Sequence, residues 1–132
     1  MKMREENLDK KKYYMYMLII GAIWNIIISL LIFLGSFFAN PGLNELGLVY
    51  YQMFSMVVLL FGIGYYLVGR DLENNHAVIS LGVIGKILVF IFMLTYYILG
   101  VVDAMSLVIG IIDFIFAILF IEFLVNFKKI QK

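Results

Sequence analysis

The residues of this sequence that could do chemistry are the few polar and ionisable side chains that interrupt long apolar runs. Such side chains are costly in lipid and are rarely present there without a role. Asp113 is the deepest carboxylic acid among them. At about 100° per residue it shares one helix face with Ser106, Gly110 and Ala117, and small residues of this kind mark a close helix contact. Asp113 is therefore predicted to point into a helix bundle.

A layer of hydrogen-bonding groups is expected at the depth of Asp113. At about 1.5 Å per residue from the helix ends, Ser29 and Gln52 lie about 10 Å deep, as Asp113 does. Lys86 is placed about 8 Å nearer to the opposite face, so no basic partner is expected for Asp113 and the neutral acid is the expected form. Such a layer could bind a ligand, or it could serve only to fix helix packing. The candidates for it are Asp113, Gln52, Ser29, Asn25 and Tyr97.

Two ionisable residues, Lys86 and Glu122, are candidates for an ion pair. They lie about 13 Å and about 7 Å from the same membrane face, and their side chains are expected to converge in depth. Glu122 is rotated by about 180° from Asp113 on its helix, which favours a lateral contact or a contact between subunits. The alternative is that each side chain reaches out to the lipid headgroups.

The sequence carries no signature of a cofactor, a metal site or nucleic-acid binding. It contains one histidine and no cysteine, which excludes thiolate metal sites and a haem held by two histidines of one chain. The glycines between residues 62 and 69 lack the spacing of a dinucleotide-binding motif. A net charge of +1 gives no basic surface for nucleic acid. No catalytic residue, cofactor or metal is predicted, and a non-enzymatic function is favoured.

Apolar helices must position these side chains. The chain of 132 residues is 64% hydrophobic and only 14% charged, far from ordinary soluble composition. Four segments reach the length of about 20 mostly apolar residues that crosses a bilayer: roughly 14–38, 46–68, 77–99 and 104–127. Lipid leaves the backbone no other partner, so they are predicted to be helices, and their short connections make neighbours antiparallel. The predicted fold class is an all-α integral membrane protein, an antiparallel four-transmembrane-helix bundle.

The chain is predicted to form one transmembrane domain, residues 13–127, between a polar arm at 1–12 and a tail at 128–132. Lysine and arginine occur in the arm, at Arg70 and in the tail, whereas 40–44 and 100–103 contain none. The positive-inside rule then predicts that both termini are cytoplasmic, in the plasma or inner membrane. The nine tyrosines fall near predicted helix ends and are expected at the membrane interfaces.

Three segments carry a resemblance to known proteins. These segments resemble a pattern in uncharacterised bacterial four-helix membrane proteins: Gly69 to His76, Leu81 to Lys86, and Gly110 to Ala117 with Leu119 and Phe120. The layout is also similar to DoxX-like proteins, small four-helix subunits of which some are associated with quinone-linked oxidoreductases. The resemblance implies a small four-helix membrane protein and transfers no residue role. Small multidrug exporters have a similar size, but they carry a membrane-embedded glutamate in the first helix, and the first apolar span of this chain has none.

Three functions remain open at this point. The favoured one is a non-enzymatic integral membrane subunit or scaffold of a larger membrane complex, because soluble mass and catalytic motifs are both minimal. The second is a small oligomeric proton- or cation-linked transporter or channel that uses Asp113. The third is a binder or enzyme for a lipid- or quinone-like ligand, with Asp113 and Tyr97 as acid–base candidates. The expected partners are membrane lipid and either further copies of the chain or a larger membrane protein.

Overall fold

Four α-helices form the protein, with bounds set by the apolar runs and by turn residues between them. The computed structural model describes residues 2–39 and 42–130, with side chains described for 5–39 and 42–127. The helices are α1 (Lys2–Phe38), α2 (Glu45–Arg70), α3 (His76–Ile98) and α4 (Ala104–Ile130). The described part of the chain contains no strand. The predicted all-α four-helix bundle is confirmed.

All four helices are long and apolar enough to cross a membrane. Large apolar side chains cover the outside of the bundle, among them Leu31, Leu60 and Ile98, which are 64%, 66% and 74% exposed. Soluble monomers rarely expose continuous apolar surface of this extent, whereas lipid solvates it without cost. The chain is a multi-pass membrane protein.

Turn chemistry ends the helices close to the predicted positions. The sequence Asn40-Pro41-Gly42, between the first two predicted spans, is typical of a turn. Asn40 and Pro41 lie outside the described residues, and Gly42 has φ 74°, a conformation that glycine adopts without strain. Asn44 precedes α2, and its Oδ1 accepts from the Gly47 N–H at 2.8 Å. Asp103 precedes α4 and accepts in the same way from the Ser106 N–H at 2.8 Å. Both side chains are helix N-caps that satisfy otherwise unpaired backbone donors.

The predicted polar arm is continuous with the first span. α1 runs for 37 residues from Lys2, so no structural break separates residues 12 and 13. Lys10 pairs with Glu6 one turn earlier at 2.9 Å, and Lys11 reaches Glu73 at 3.4 Å. Met1, residues 131–132 and the side chains of 2–4 and 128–130 lie outside the described residues, and with them lie parts of the predicted arm and tail.

The helices alternate in direction and form two hairpins, α1–α2 and α3–α4. We call the end that holds the start of α1, residues 71–75 and the end of α4 the terminal end. The opposite end, with residues 42–44 and 99–103, is the loop end. Within each hairpin the helices pack along their length, while α2 meets α3, and α1 meets α4, over much shorter stretches.

Glycines allow the close approach inside each hairpin. A Cβ built on Gly62 of α2 would lie 3.2 Å from the carbonyl oxygen of Ala22 in α1. A Cβ built on Gly110 of α4 would lie 3.0 Å from the Cβ of Met93 in α3. Absence of a side chain at these points lets the helix backbones approach, which is the usual basis of helix association in lipid.

The hydrophobic core occupies only the terminal half of the bundle. Leu18, Tyr65, Ile79 and Phe120, one from each helix, are at most 1% exposed and belong to one packed cluster. Toward the loop end the two hairpins separate and leave a cavity between them. The bundle is therefore closed at one end and hollow at the other. The buried apolar residues are Tyr14, Met17, Leu18, Ala22, Tyr65, Val68, Ile79, Val83, Ala117, Phe120, Phe123 and Phe127.

Candidate functional site: a buried ion pair at the base of a cavity

An ion pair lies in the middle of the bundle, between the packed core and the cavity. Lys86 of α3 donates from Nζ to Oδ1 of Asp113 of α4 at 2.5 Å. The two side chains are only 5% and 16% exposed. The expectation that Asp113 has no basic partner is wrong, and so is the basis for expecting the neutral acid.

The error came from the depth assigned to Lys86. Lys86 lies twelve residues before the end of α3 at Ile98, and Asp113 lies nine residues after the start of α4 at Ala104. Their Cα atoms therefore differ in depth by only about 4.5 Å. The four-carbon stem of lysine is long enough and flexible enough to span this difference.

Asn25 of α1 extends the pair into a network that joins all four helices. Lys86 Nζ donates a second hydrogen bond to Asn25 Oδ1 at 2.8 Å. Asn25 in turn donates from Nδ2 to the backbone carbonyl of Val58 in α2 at 3.4 Å. Asn25 is 5% exposed, and its amide supplies both the acceptor and the donor that this position requires. The prediction that Asn25 and Asp113 belong to one polar site is consistent with this geometry, although Lys86 joins them.

Aromatic rings enclose the ammonium group on the side of the core. Lys86 Nζ lies 5.7 Å from the ring centroid of Tyr65 and 5.6 Å from that of Phe116, within the range of cation–π attraction. Tyr65 can take this place because it lies against Gly82 of α3, where a Cβ would overlap the tyrosine ring. The lysine is thus held by a carboxylate, an amide and two aromatic faces.

A cavity of about 310 Å³ begins at this cluster and extends toward the loop end. Its polar base is formed by Asn25, Lys86 and Asp113, and most of its remaining wall is aliphatic or aromatic. Phe54 and Val57 of its wall are 45% and 49% exposed, so the cavity communicates with the outside of the bundle along α2. The arrangement is a mostly apolar pocket with a few convergent polar groups at one end.

The remaining candidates for the polar layer lie elsewhere. Gln52 Nε2 donates to Ser36 Oγ at 2.9 Å, which links α2 to α1 near the loop end. Ser29 is 2% exposed and donates to the carbonyl of Ile26 in its own helix at 2.9 Å. Tyr97 is 43% exposed on the outside of α3. These side chains do not form one layer with Asp113, because Gln52 bonds to Ser36 of α1, Ser29 bonds within its own helix and Tyr97 is exposed.

Glu122 does not pair with Lys86 within the chain. It is exposed on α4, and it accepts hydrogen bonds from the hydroxyls of Tyr13 and Tyr14 of α1, at 3.4 and 3.2 Å. The predicted rotation of Glu122 away from Asp113 is thus consistent with the structure, and it is also the reason that Glu122 cannot reach the interior lysine.

Two contributors to the site, Tyr65 and Gly85, were missed in the sequence. Tyr65 was expected at the membrane interface, but it is 1% exposed and packs against Phe120, with the ring centroids 4.8 Å apart. Gly85 lines the cavity, and a Cβ built there would meet no atom within 4 Å. The signal in the sequence was the glycines close to these two residues, Gly62 and Gly64 before Tyr65 and Gly82 before Gly85. Glycines at such positions leave room for bulky side chains in the interior.

Comparison with known proteins assigns the chain to no family. No protein-family model matches it, and no curated protein or solved structure is significantly similar to it. The resemblance to DoxX-like proteins therefore stays an expectation, and the functional argument depends on the site itself.

Proposed function

We propose that this protein binds a lipophilic small molecule, lipid- or quinone-like in character, in the cavity between its two hairpins. The observation that carries the proposal is the position of the Lys86–Asp113–Asn25 cluster at the base of an otherwise apolar cavity. Small-molecule sites are typically mostly apolar clefts of about 300–1,000 Å³ with a few polar groups that fix the orientation of the ligand. A volume of about 310 Å³ lies within this range.

The position of the cavity suits a ligand that arrives from the lipid phase. Its opening along α2 lies among side chains that face the membrane, including Phe54 and Val57. An apolar tail can remain near this opening while a polar head reaches the buried cluster. The small extent of the contacts between the hairpins makes this seam the natural entrance.

The cavity is proposed to face the non-cytoplasmic half of the membrane. Described basic residues such as Lys10, Lys12 and Arg70 lie at the terminal end, and residues 42–44 and 99–103 at the loop end include no lysine or arginine. The positive-inside rule then supports cytoplasmic termini in a plasma or inner membrane. The loop end and the open half of the bundle are on the other side.

Binding fits the packing better than conduction through one chain does. On the terminal side of the ion pair, Tyr65 and Phe120 belong to a packed core whose buried side chains are at most 8% exposed. A transport pathway would have to pass this aromatic layer. The cavity instead ends at the pair, as a binding site does.

A second candidate function, a subunit of a larger membrane complex, is favoured by one feature of the outer surface. Glu122 and its two tyrosine partners form a polar patch on a face that otherwise carries exposed apolar side chains such as Ile118, Ile121 and Val125. Such a patch could meet another membrane protein or a further copy of the chain. Co-purification at fixed stoichiometry that is lost in Glu122→Gln supports this function, and a wild-type protein that is monomeric in native membranes contradicts it.

Native mass spectrometry of the protein purified in mild detergent tests the binding proposal. The wild-type protein is expected to carry a small lipophilic adduct. Gly85→Leu should abolish the adduct, because the new side chain has room to enter the cavity. The matched control is Gly35→Leu in α1, where a Cβ also meets no atom within 4 Å but the residue does not line the cavity. An adduct that survives Gly85→Leu, or its absence from the wild type, contradicts the proposal.

A further inference from the structure

The base of the cavity carries no net charge. Lys86 and Asp113 are the two ionisable side chains of opposite sign there, and among the described residues no third charged side chain lines the cavity. Transfer of the shared proton from Nζ to Oδ1 leaves the sum at zero. The electrostatic character of the site therefore does not depend on which of the two atoms holds the proton.

A charged head group would find no counter-ion in this cavity. Bringing an isolated carboxylate, phosphate or ammonium into an apolar environment is strongly unfavourable unless an opposite charge compensates it. Lys86 and Asp113 already compensate each other at 2.5 Å, so an anionic ligand would have to separate a pair that is buried on all other sides. An uncharged head avoids this cost.

The hydrogen-bonding capacity that is left at the base fits a hydroxyl group. An ammonium has three N–H donors, and Asn25 and Asp113 use two of those of Lys86. Asp113 accepts with Oδ1, while Oδ2 takes part in no hydrogen bond with the described residues. The Asp113 side chain is also the more accessible of the pair, at 16% against 5%. One hydroxyl could donate to Oδ2 and accept from the remaining N–H.

We propose that the cavity selects lipophilic molecules whose head is uncharged and bears a hydroxyl, such as long-chain alcohols, glycerol monoesters or phenols, over molecules with an anionic or cationic head. This inference rests on the proposed function and narrows its ligand class. The cavity volume of about 310 Å³ lies at the lower end of the range of small-molecule sites. Such a volume suits a small head with part of one chain.

A series of ten-carbon amphiphiles that differ only in the head tests the selectivity. Decanol, decanoate and decylammonium are added at equal mole fraction to the protein in nanodiscs, and apparent affinity is obtained from the shift in Tm. The shift in Tm that the same molecule causes in Gly85→Leu is subtracted. The cavity of that variant is filled, so its shift reports only general effects of the molecule on the bilayer. Decanol is expected to bind the wild type at least about tenfold more tightly than either charged analogue.

Charge variants of the base should reverse the preference. Asp113→Asn leaves the charge of Lys86 uncompensated, so this variant should bind decanoate about tenfold more tightly than decanol. Lys86→Gln leaves Asp113 uncompensated and should bind decylammonium more tightly than decanol for the same reason. If a variant does not fold, the wild-type order alone decides. A wild type that binds decanoate as tightly as decanol overturns the selectivity and leaves the proposed function intact. Absence of any Gly85-dependent shift with all three molecules overturns both.

Discussion

Lys86 on α3 and Asp113 on α4 form an ion pair with an N–O distance of 2.5 Å in the interior of a membrane-spanning bundle. The pair is the meeting point of two different environments. Toward the terminal end it borders a packed aromatic core, and toward the loop end it borders a cavity. Its removal should therefore affect both stability and binding.

Breaking the pair from one side should be more damaging than removing it. Lys86→Met or Asp113→Leu alone leaves one buried group without its partner and is expected to cost about 3–5 kcal/mol. The double variant should recover much of this loss, since two apolar side chains of similar size can replace a buried pair. SDS titration in mixed micelles measures the free energy of unfolding. Additive effects of the two substitutions would contradict the observed contact.

Glu122 should be independent of Lys86. Glu122 lies on the exposed side of α4 with Tyr13 and Tyr14, and Lys86 lies in the interior. The effects of Glu122→Gln and Lys86→Met on the free energy of unfolding should therefore add within about 0.5 kcal/mol. A double-mutant cycle measures the coupling. A coupling free energy above about 0.5 kcal/mol in the monomeric protein would indicate that Lys86 and Glu122 do interact.

Gly62→Ala should loosen the first hairpin. The new Cβ would lie 2.9 Å from Ile26 Cγ1, 3.1 Å from Asn25 Cβ and 3.2 Å from the carbonyl oxygen of Ala22, and this backbone oxygen cannot move aside cheaply. We expect a loss of about 1–3 kcal/mol in the free energy of unfolding. Gly35→Ala, at a position with no neighbour within 4 Å, is the matched control and should not destabilise the protein. Equal behaviour of the two variants would show that the helices do not approach closely at Gly62.

The Asp103 cap should make the stability of α4 depend on pH. Hydrogen bonds from the backbone and side chain of Ser106 lower the pKa of Asp103 below its ordinary value of 3.8. The ionised Asp103 carboxylate therefore stabilises the folded state at pH values above its pKa in the unfolded chain. This stability is lost as the pH falls through the lower pKa of the folded state. The Tm of the wild type should therefore decrease as the pH is lowered below about 3.8.

Substitution at the two caps isolates this contribution. Asp103→Asn keeps a capping oxygen without the titrating group, so its Tm should depend less on pH in that range. The cap of α2 is the uncharged Asn44, and Asn44→Ala should lower Tm equally at each pH. If Asp103→Asn retains the full acid dependence of the wild type, the dependence arises elsewhere.

Single cysteines can test the proposed orientation because the chain has none of its own. Val101→Cys lies in the loop-end connection, and Asn74→Cys lies in the terminal-end connection. A membrane-impermeant maleimide added to intact cells should label position 101, and it should label position 74 only after the cells are opened. The opposite pattern would reverse the orientation and place the cavity on the cytoplasmic side.

The fold followed from the sequence because its determinants are local. The length of each apolar run, the turn residues and the caps at Asn44 and Asp103 place α2, α3 and α4 within one helical turn of the predicted spans. The start of α1 was not predicted, since charged residues such as those from Lys2 to Lys12 form helix as readily as apolar ones once a helix is nucleated. The helix at Lys2 thus extends past the polar boundary.

The site was less predictable because it depends on how four helices rotate against one another. Asp113 and Asn25 were identified by the cost of polar groups in lipid. Their connection through Lys86 was missed, because Lys86 was placed about 8 Å from the depth of Asp113, whereas the Cα atoms differ in depth by only about 4.5 Å. Gln52 and Ser29 were assigned to the same layer, although Gln52 bonds to Ser36 and Ser29 bonds to the carbonyl of Ile26 in its own helix.

The placement of Lys86 and Asp113 in one hairpin has a consequence for biogenesis. A single lysine or aspartate at the centre of a helix costs about 2.5–3.5 kcal/mol on membrane insertion. α3 and α4 are joined by only five residues, 99–103, so the two helices can enter the bilayer together with their charges already neutralised. We expect the insertion machinery to release the two helices into the bilayer as one unit, because Asp113 of α4 neutralises Lys86 of α3.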